Sequence, residues 1–259
     1  MMEDIFFGTE YEIISAGGDT GQAFIAQHKD EKFFLKRNSS PFLAALSALD
    51  IVPKLKWTRR VENGDVITAQ KWINARVLST AEMGESKVAR LLSKIHHSDK
   101  LKQMLLKMEE ASFSPLDMFR NHQSIFPEQT KTEQEAISYL KRNLEQVEDG
   151  VRVVCHGDIN HNNWMISSEG ELFLVDWDGA MLGDPAMDLS MLLYQYVPKE
   201  NWKNWLEIYG GTYSKSLHRK LKWYALFQTL YRLGEGKLSQ AEQQKANELL
   251  DLIVKDNEV

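Results

Sequence analysis

An aspartate followed five residues later by an asparagine, Asp158 and Asn163, stands in the run His156-Gly157-Asp158-Ile159-Asn160-His161-Asn162-Asn163. A second aspartate follows in Val175-Asp176-Trp177-Asp178. A carboxylate can orient an attacking hydroxyl and receive its proton, and hard magnesium ions take carboxylate and amide oxygens alongside phosphate oxygens and water. The set therefore suits phosphoryl transfer, with Asp158 as catalytic base and Asn163 and Asp176 as Mg2+ ligands. Apolar runs at 151–155, 164–166 and 172–175 read as short strands, so a loop between two strands and the turn after the last are what must carry these side chains.

The elements around that loop change character along the chain. Residues 11–14, 23–28 and 32–36 read as strands, and Pro41 opens a helical segment at 42–49. Residues 55–61 and 66–72 form an antiparallel pair about the turn Asn63-Gly64. From Thr80 the period becomes helical: Val88, Leu91, Leu92 and Ile95 share one face, Leu101, Leu105 and Met108 belong to a second segment, and 133–147 is a third. The stretch 112–129 reads as irregular, and the chain is helical again from about Asp188. The expected fold class is α+β, with a mostly β lobe over 1–72 and a larger, mainly helical lobe over 73–259 that carries a small inserted sheet.

Composition narrows the function classes. The 259 residues carry a formal net charge of -6, so no general pull towards nucleic acid or anionic lipid is expected. The basic clusters from Lys54 to Arg60 and from His218 to Lys222 read as solvated faces. A single cysteine, Cys155, excludes an internal disulfide and a cysteine-rich zinc site, and reads as a packed strand thiol. Residues 1–7 are acidic and lack the basic start of a signal peptide, and no stretch approaches the ~18 apolar residues of a membrane span, so a cytoplasmic protein without a membrane span is expected. His96 reads as a structural histidine, His156 as an orienting residue for the loop, Asp188 as a hydrogen-bond partner of that loop and Asp184 as a helix cap. Trp202, Trp205, Tyr209, Trp223, Tyr224 and Tyr231 read mostly as core.

The run His156-Gly157-Asp158 with Asn163 resembles the H-G-D-x-x-x-x-N catalytic loop of aminoglycoside phosphotransferases and choline or ethanolamine kinases. Val175-Asp176-Trp177-Asp178 is similar to that family's metal-binding segment, Gly183-Asp184-Pro185-Ala186-Met187-Asp188-Leu189 to its G-D-P-x-x-D-L segment, and Leu91 to Ser98 to its L-x-x-L-H-x-S helix. The resemblance implies a two-lobed, protein-kinase-like fold with a small antiparallel β N-lobe that binds nucleotide and a larger α-helical C-lobe for catalysis and acceptor binding. It implies ATP and Mg2+ as cofactors, Lys36 on the α and β phosphates, and Gln70 and Trp72 in the hinge whose backbone meets adenine. The turn holding Gly17, Gly18 and Gly21 is the segment whose amides would cover the phosphates. The chain departs from the pattern in having no glutamate between Phe42 and Lys56 to pair Lys36; Asp50 is the only acid there.

The acceptor is expected to be a small hydroxyl metabolite, with sugars or nucleosides slightly ahead of choline or ethanolamine, and Asn160, His161 and Asp178 are near enough in sequence to the base to bind it. The layout is also similar to small phosphotransferase-like proteins of Gram-positive bacteria implicated in cell-cycle control, the CcrZ type, which implies a metabolic kinase with protein partners or a product in that control. The competing class is a non-enzymatic adaptor on a kinase fold. Its signature is loss of the base or a metal ligand, and Asp158, Asn163 and Asp176 all remain.

Overall fold

Strands form where apolar residues recur on alternate positions and turns relieve the chain. β1 (Glu12–Ser15), β2 (Ala23–His28), β3 (Glu31–Arg37), β4 (Leu55–Arg60) and β5 (Val66–Lys71) pair antiparallel in the order β1-β2-β3-β5-β4. Ala26, Leu35, Val61, Ile67 and Ala69 are buried on one layer, with Phe24, Phe33 and Trp57 packed against them. The β4–β5 hairpin turns at Gly64, whose φ of 90° is open to glycine, while Asn63 Oδ1 accepts the Asp65 N–H at 3.0 Å.

The computed structural model describes residues 11–16, 22–29, 31–108 and 114–257. It divides into two units, one running to Val77 and including Asn162–Asp178, the other made of Leu78–His161 and the chain from Gly179. The first unit holds the five-stranded sheet, helix α1 (Phe42–Ala48), and a second sheet in the order β6 (Ala75–Val77), β8 (Trp164–Ser167), β9 (Leu172–Leu174). The Leu174 N–H donates to Ile51 O at 2.9 Å, which ties β9 to the chain after α1.

The second unit contains α2 (Ser86–His96), α3 (Asp99–Lys107), α4 (Pro115–His122), α5 (Lys131–Val147), α6 (Ala186–Tyr196), α7 (Trp202–Tyr209), α8 (Lys215–Gly234) and α9 (Gln240–Lys255), with a two-stranded ladder of β7 (Val153–Cys155) and β10 (Met181–Gly183). Helix α8 is buried along most of its length between α5, α6 and α9: Leu221, Trp223, Tyr224, Leu226 and Leu230 are all enclosed. Trp202, Trp205 and Tyr209 are buried as expected of core aromatics. Among the described residues no helix is long and apolar enough to cross a membrane.

Three expectations are corrected. The stretch expected to be irregular contains α4, started by Ser114, whose hydroxyl accepts the Asp117 N–H at 3.1 Å, and by Pro115 in the first turn. The single inserted sheet is two separate sheets, because β10 pairs with β7 and β6 with β8, and β6 and β10 are strands of three residues, too short to show a period. The cluster His218 to Lys222 is not a solvated face: His218, Lys220 and Lys222 are buried. Lys220 pairs with Asp149 and, at 2.6 Å, with Asp184, and Lys222 Nζ donates to the carbonyls of Val254 and Asp256. Their charge is consumed inside the unit. The cluster at 54–60 is largely exposed, as expected.

Candidate active site

In the first unit, Lys36 near the end of β3 meets the turn after β9. Its Nζ lies 2.8 Å from both carboxylate oxygens of Asp178 and 3.2 Å from Asp176 Oδ1. The turn is held by Trp177, whose indole N–H donates to Leu174 O at 2.7 Å and whose ring packs edge-on to Phe42 of α1 at 5.8 Å. Asp176 has φ of 64°, a left-handed conformation that aspartate and asparagine tolerate better than other side chains. Burial alone would lower the Lys36 pKa, but the hydrogen bond and charge of Asp178, then those of Asp176, outweigh it and hold the ammonium above its usual value. Asp178 therefore supplies the acidic partner of Lys36, while Asp50 is paired with Lys54 at 2.7 Å.

This corner suits a divalent cation. Both aspartates are about 60% exposed and already share a positive charge, and the donor atoms are hard oxygens of the kind magnesium takes. Asn163 is buried at the start of the hairpin, its carbonyl accepting the Val175 N–H at 2.8 Å, which fixes Asn163 beside the strand that leads into Asp176. Gln70 is buried in β5 and donates its side-chain amide to Pro53 O at 2.8 Å, and Trp72 carries Lys32 Nζ over its ring at 4.0 Å. Gly17, Gly18 and Gly21 lie outside the described residues.

In the second unit, the loop after β7 is anchored from α6. Asp188, fully buried, accepts the His156 N–H at 2.8 Å and the Gly157 N–H at 3.0 Å, and its Oδ2 lies 3.1 Å from His96 Nε2. His96 Nδ1 is in turn 2.8 Å from the Tyr209 hydroxyl. Burial alone would raise the Asp188 pKa, but hydrogen bonding and charge from His96, with further help from His156, hold the carboxyl below its ordinary value. Cys155 joins this buried cluster, and burial pushes its thiol far up. Because His96 and Asp188 are already bonded to Tyr209 and to backbone amides, the cluster acts as an anchor for the loop.

Gly157 explains why glycine precedes the aspartate: its φ is 83°, and a Cβ there would meet Gly179 O and Met181 Cε at 3.1 Å. The Asp158 N–H donates to His156 Nδ1 at 3.3 Å, so His156 orients the turn as expected. Asp158 is exposed, and Asn160 Nδ2 donates to its Oδ2 at 2.9 Å. His161 has its backbone N–H and Nδ1 both close to the Tyr196 hydroxyl.

Asp158 and Asn160 line a pocket of about 420 Å³, within the ~300–1,000 Å³ range of small-ligand sites. Its walls are apolar on one side, with Met118, Met187 and Met191, and aromatic on another, where Phe227 and Tyr231 stack and His122 stands edge-on to Tyr231 at 4.9 Å. Gln195, Gln228, Arg232 and Glu235 supply further polar groups. The basic side chains of Lys215, Arg219, Lys220 and Lys222 do not line this pocket. Sequence reasoning read Tyr231 mostly as core and missed Gln228 and Arg232, although 227, 228, 231, 232 and 235 recur at the spacing of one helix face.

A model of the phosphotransferase enzyme family matches residues 12–224. Among solved structures the chain is similar to choline kinase LicA from Streptococcus pneumoniae, with a TM-score of 0.64 and 21% identity over 94% of this chain and 95% of that one. It is similar to a choline/ethanolamine kinase family protein from Mesorhizobium loti, with a TM-score of 0.67 and 13% identity over 95% and 89%. A spectinomycin phosphotransferase in complex with ADP and spectinomycin gives a TM-score of 0.60 and 16% identity over 95% and 92%. At such identities these likenesses carry the fold.

Proposed function

We propose, from the premise that this chain belongs to the phosphotransferase enzyme family, that it transfers the γ-phosphoryl group of ATP to a hydroxyl of a small metabolite, sugars and nucleosides ahead of choline and ethanolamine. The observation that carries the reading is a carboxylate, Asp158, on a backbone-anchored loop in the wall of a pocket sized for a small molecule.

In this reading the acceptor hydroxyl oxygen attacks the γ-phosphorus while the bond from that phosphorus to the bridging oxygen breaks. The hydroxyl proton passes to the Asp158 carboxylate, and the products are a phosphate ester and ADP. Asn160, donating to one Asp158 oxygen, aims the carboxylate. Residues 1–72 form the nucleotide-binding part and 73–259 the catalytic and acceptor-binding part. Lys36 holds the α and β phosphates, the amides around Gly17, Gly18 and Gly21 cover them, and the backbone at Gln70 and Trp72 meets the adenine. Asn163 and Asp176 are the residues for Mg2+, which when bound would neutralise phosphate charge.

Choline ranks lower because a quaternary ammonium wants aromatic faces with unpaired carboxylates nearby. The pocket offers Asp158, the cationic Arg232, and Glu235, which Lys237 already pairs at 2.7 Å. The similarity in layout to the CcrZ type extends the proposal to a cytoplasmic metabolic kinase whose protein partners or product feed into the timing of replication or division. The test is ATP consumption and product phosphorylation against D-glucose, D-ribose, adenosine, choline and ethanolamine, with magnesium present. Transfer to at least one of the first three is expected; a pure, folded protein that phosphorylates no hydroxyl compound would refute the reading.

A further inference from the structure

Gln228 projects from α8 into the wall of the pocket, and its amide is not free to turn. Its Nε2 donates to Met187 O at 2.8 Å and to Ser190 Oγ at 3.2 Å, both on α6, and approaches Tyr224 O at 3.4 Å. Reversing the amide would set an oxygen against two carbonyl oxygens with no proton between them, and would leave the Met187 carbonyl without this donor. The orientation is thus dictated by the packing of α6 against α8. Its Oε1 has no partner among the described residues and is not one of the sealed, partnerless side-chain atoms, so it opens to the pocket.

A carbonyl oxygen fixed in this way accepts and never donates. A ligand that covers it without bringing an O–H or N–H leaves it desolvated and unpaired, which is the arrangement by which sites reject analogues lacking a polar hydrogen. Nearby, Arg232 is exposed on the same helix face, its charge felt by Glu242 and Tyr196, and it can only donate. The pocket therefore offers one fixed acceptor and one cationic donor besides the base, set in walls of methionine and aromatic rings that suit the apolar face of a ring.

We infer that Gln228 is a specificity-determining residue that reads a second hydroxyl of the acceptor, so that the substrate class is a neutral polyol with at least one hydroxyl besides the one phosphorylated. This rests on the phosphotransferase reading above. Choline, with one hydroxyl and no N–H, cannot satisfy Asp158 and Gln228 together.

The test uses the full chain with ATP and magnesium, D-glucose, D-ribose, adenosine, choline and ethanolamine as acceptors, and then the monodeoxy and monodeoxyfluoro forms of the best polyol. Fluorine accepts weakly but brings no proton. The expected result is one position at which the deoxy and the fluoro analogues both lose ~10-fold or more in kcat/KM, chiefly through KM. In Gln228→Met the ratio at that position falls to within ~2-fold while ratios at the other positions stay as in the parent. Should Gln228→Met fail to fold, the fluoro pattern of the parent enzyme still decides, because a position read by a donor such as Arg232 tolerates fluorine where one read by Gln228 does not. An unchanged ratio in Gln228→Met, fluoro analogues that work wherever deoxy analogues fail, or choline outperforming every polyol would overturn the inference alone. Failure to phosphorylate any acceptor would remove it together with the reading beneath it.

Discussion

Replacing Asp188 by asparagine isolates what holds the catalytic loop. The carboxylate is fully buried and faces the His156 N–H, the Gly157 N–H and His96 Nε2 at 2.8, 3.0 and 3.1 Å. An asparagine of the same shape offers one oxygen and one NH2 group, so at least one backbone N–H is left facing a donor. An orphaned buried N–H costs roughly 1–3 kcal/mol, and loss of the charge that strengthens the remaining bonds brings the total to roughly 2–4 kcal/mol. For a chain of this size that corresponds to a melting temperature lower by about 5–15 °C. The loop carrying Asp158 also loosens, so kcat should fall by ~10²-fold while nucleotide affinity is retained. Acid weakens the same device. Because the folded-state pKa of Asp188 lies below the usual 3.8, its contribution is complete above that value and is lost as pH falls through the lower folded one, so the gap between parent and variant should close in strong acid. Thermal unfolding followed by circular dichroism from pH 7 downwards, with turnover at pH 7, checks this. A variant melting within a degree or two of the parent at pH 7 would refute the anchoring argument.

Asp176→Asn keeps a residue that tolerates the left-handed backbone, so the fold should persist while nucleotide binding with magnesium weakens ~10-fold or more and binding without magnesium does not change. Titration calorimetry in both conditions measures it, and equal affinities with magnesium would contradict the ligand role. Lys220→Met strands the Asp184 carboxylate, 2% exposed, without its cation and should cost roughly 3–5 kcal/mol by urea unfolding. The exposed Lys203→Met should stay within ~0.5 kcal/mol, and equal losses in the two would contradict the buried-pair account.

Local signals were the legible ones. The strand at 23–28 and the Asn63-Gly64 hairpin follow from alternation and turn chemistry that involve only neighbours in sequence. The loop from His156 to Asn163 was visible for the same reason: its spacing is set within a few residues. Helix α4 went unread although Ser114, Pro115 and Asp117 spell a start, because its apolar face is too short to show a period. What the sequence hid depends on partners far along the chain. Lys36 and Asp178 stand on different strands' ends with most of the chain between them, and no local pattern announces their pairing. The buried Lys220 and Lys222 look like surface lysines until Asp149, Asp184 and the carbonyls near the C-terminus are placed around them. Gln228 and Arg232 form a face of α8 that becomes a pocket wall only when α6 supplies the opposite one.

The central claim is that Asp158 is the base of a hydroxyl-directed phosphoryl transfer. Its most direct test is the turnover of Asp158→Ala with the best acceptor of the parent enzyme, measured as phosphate ester formed, after unfolding curves show that the exposed substitution leaves stability within ~0.5 kcal/mol. The account predicts a loss of ~10²- to 10⁴-fold in kcat with nucleotide affinity preserved; a folded variant that turns over at a rate near the parent's would contradict it.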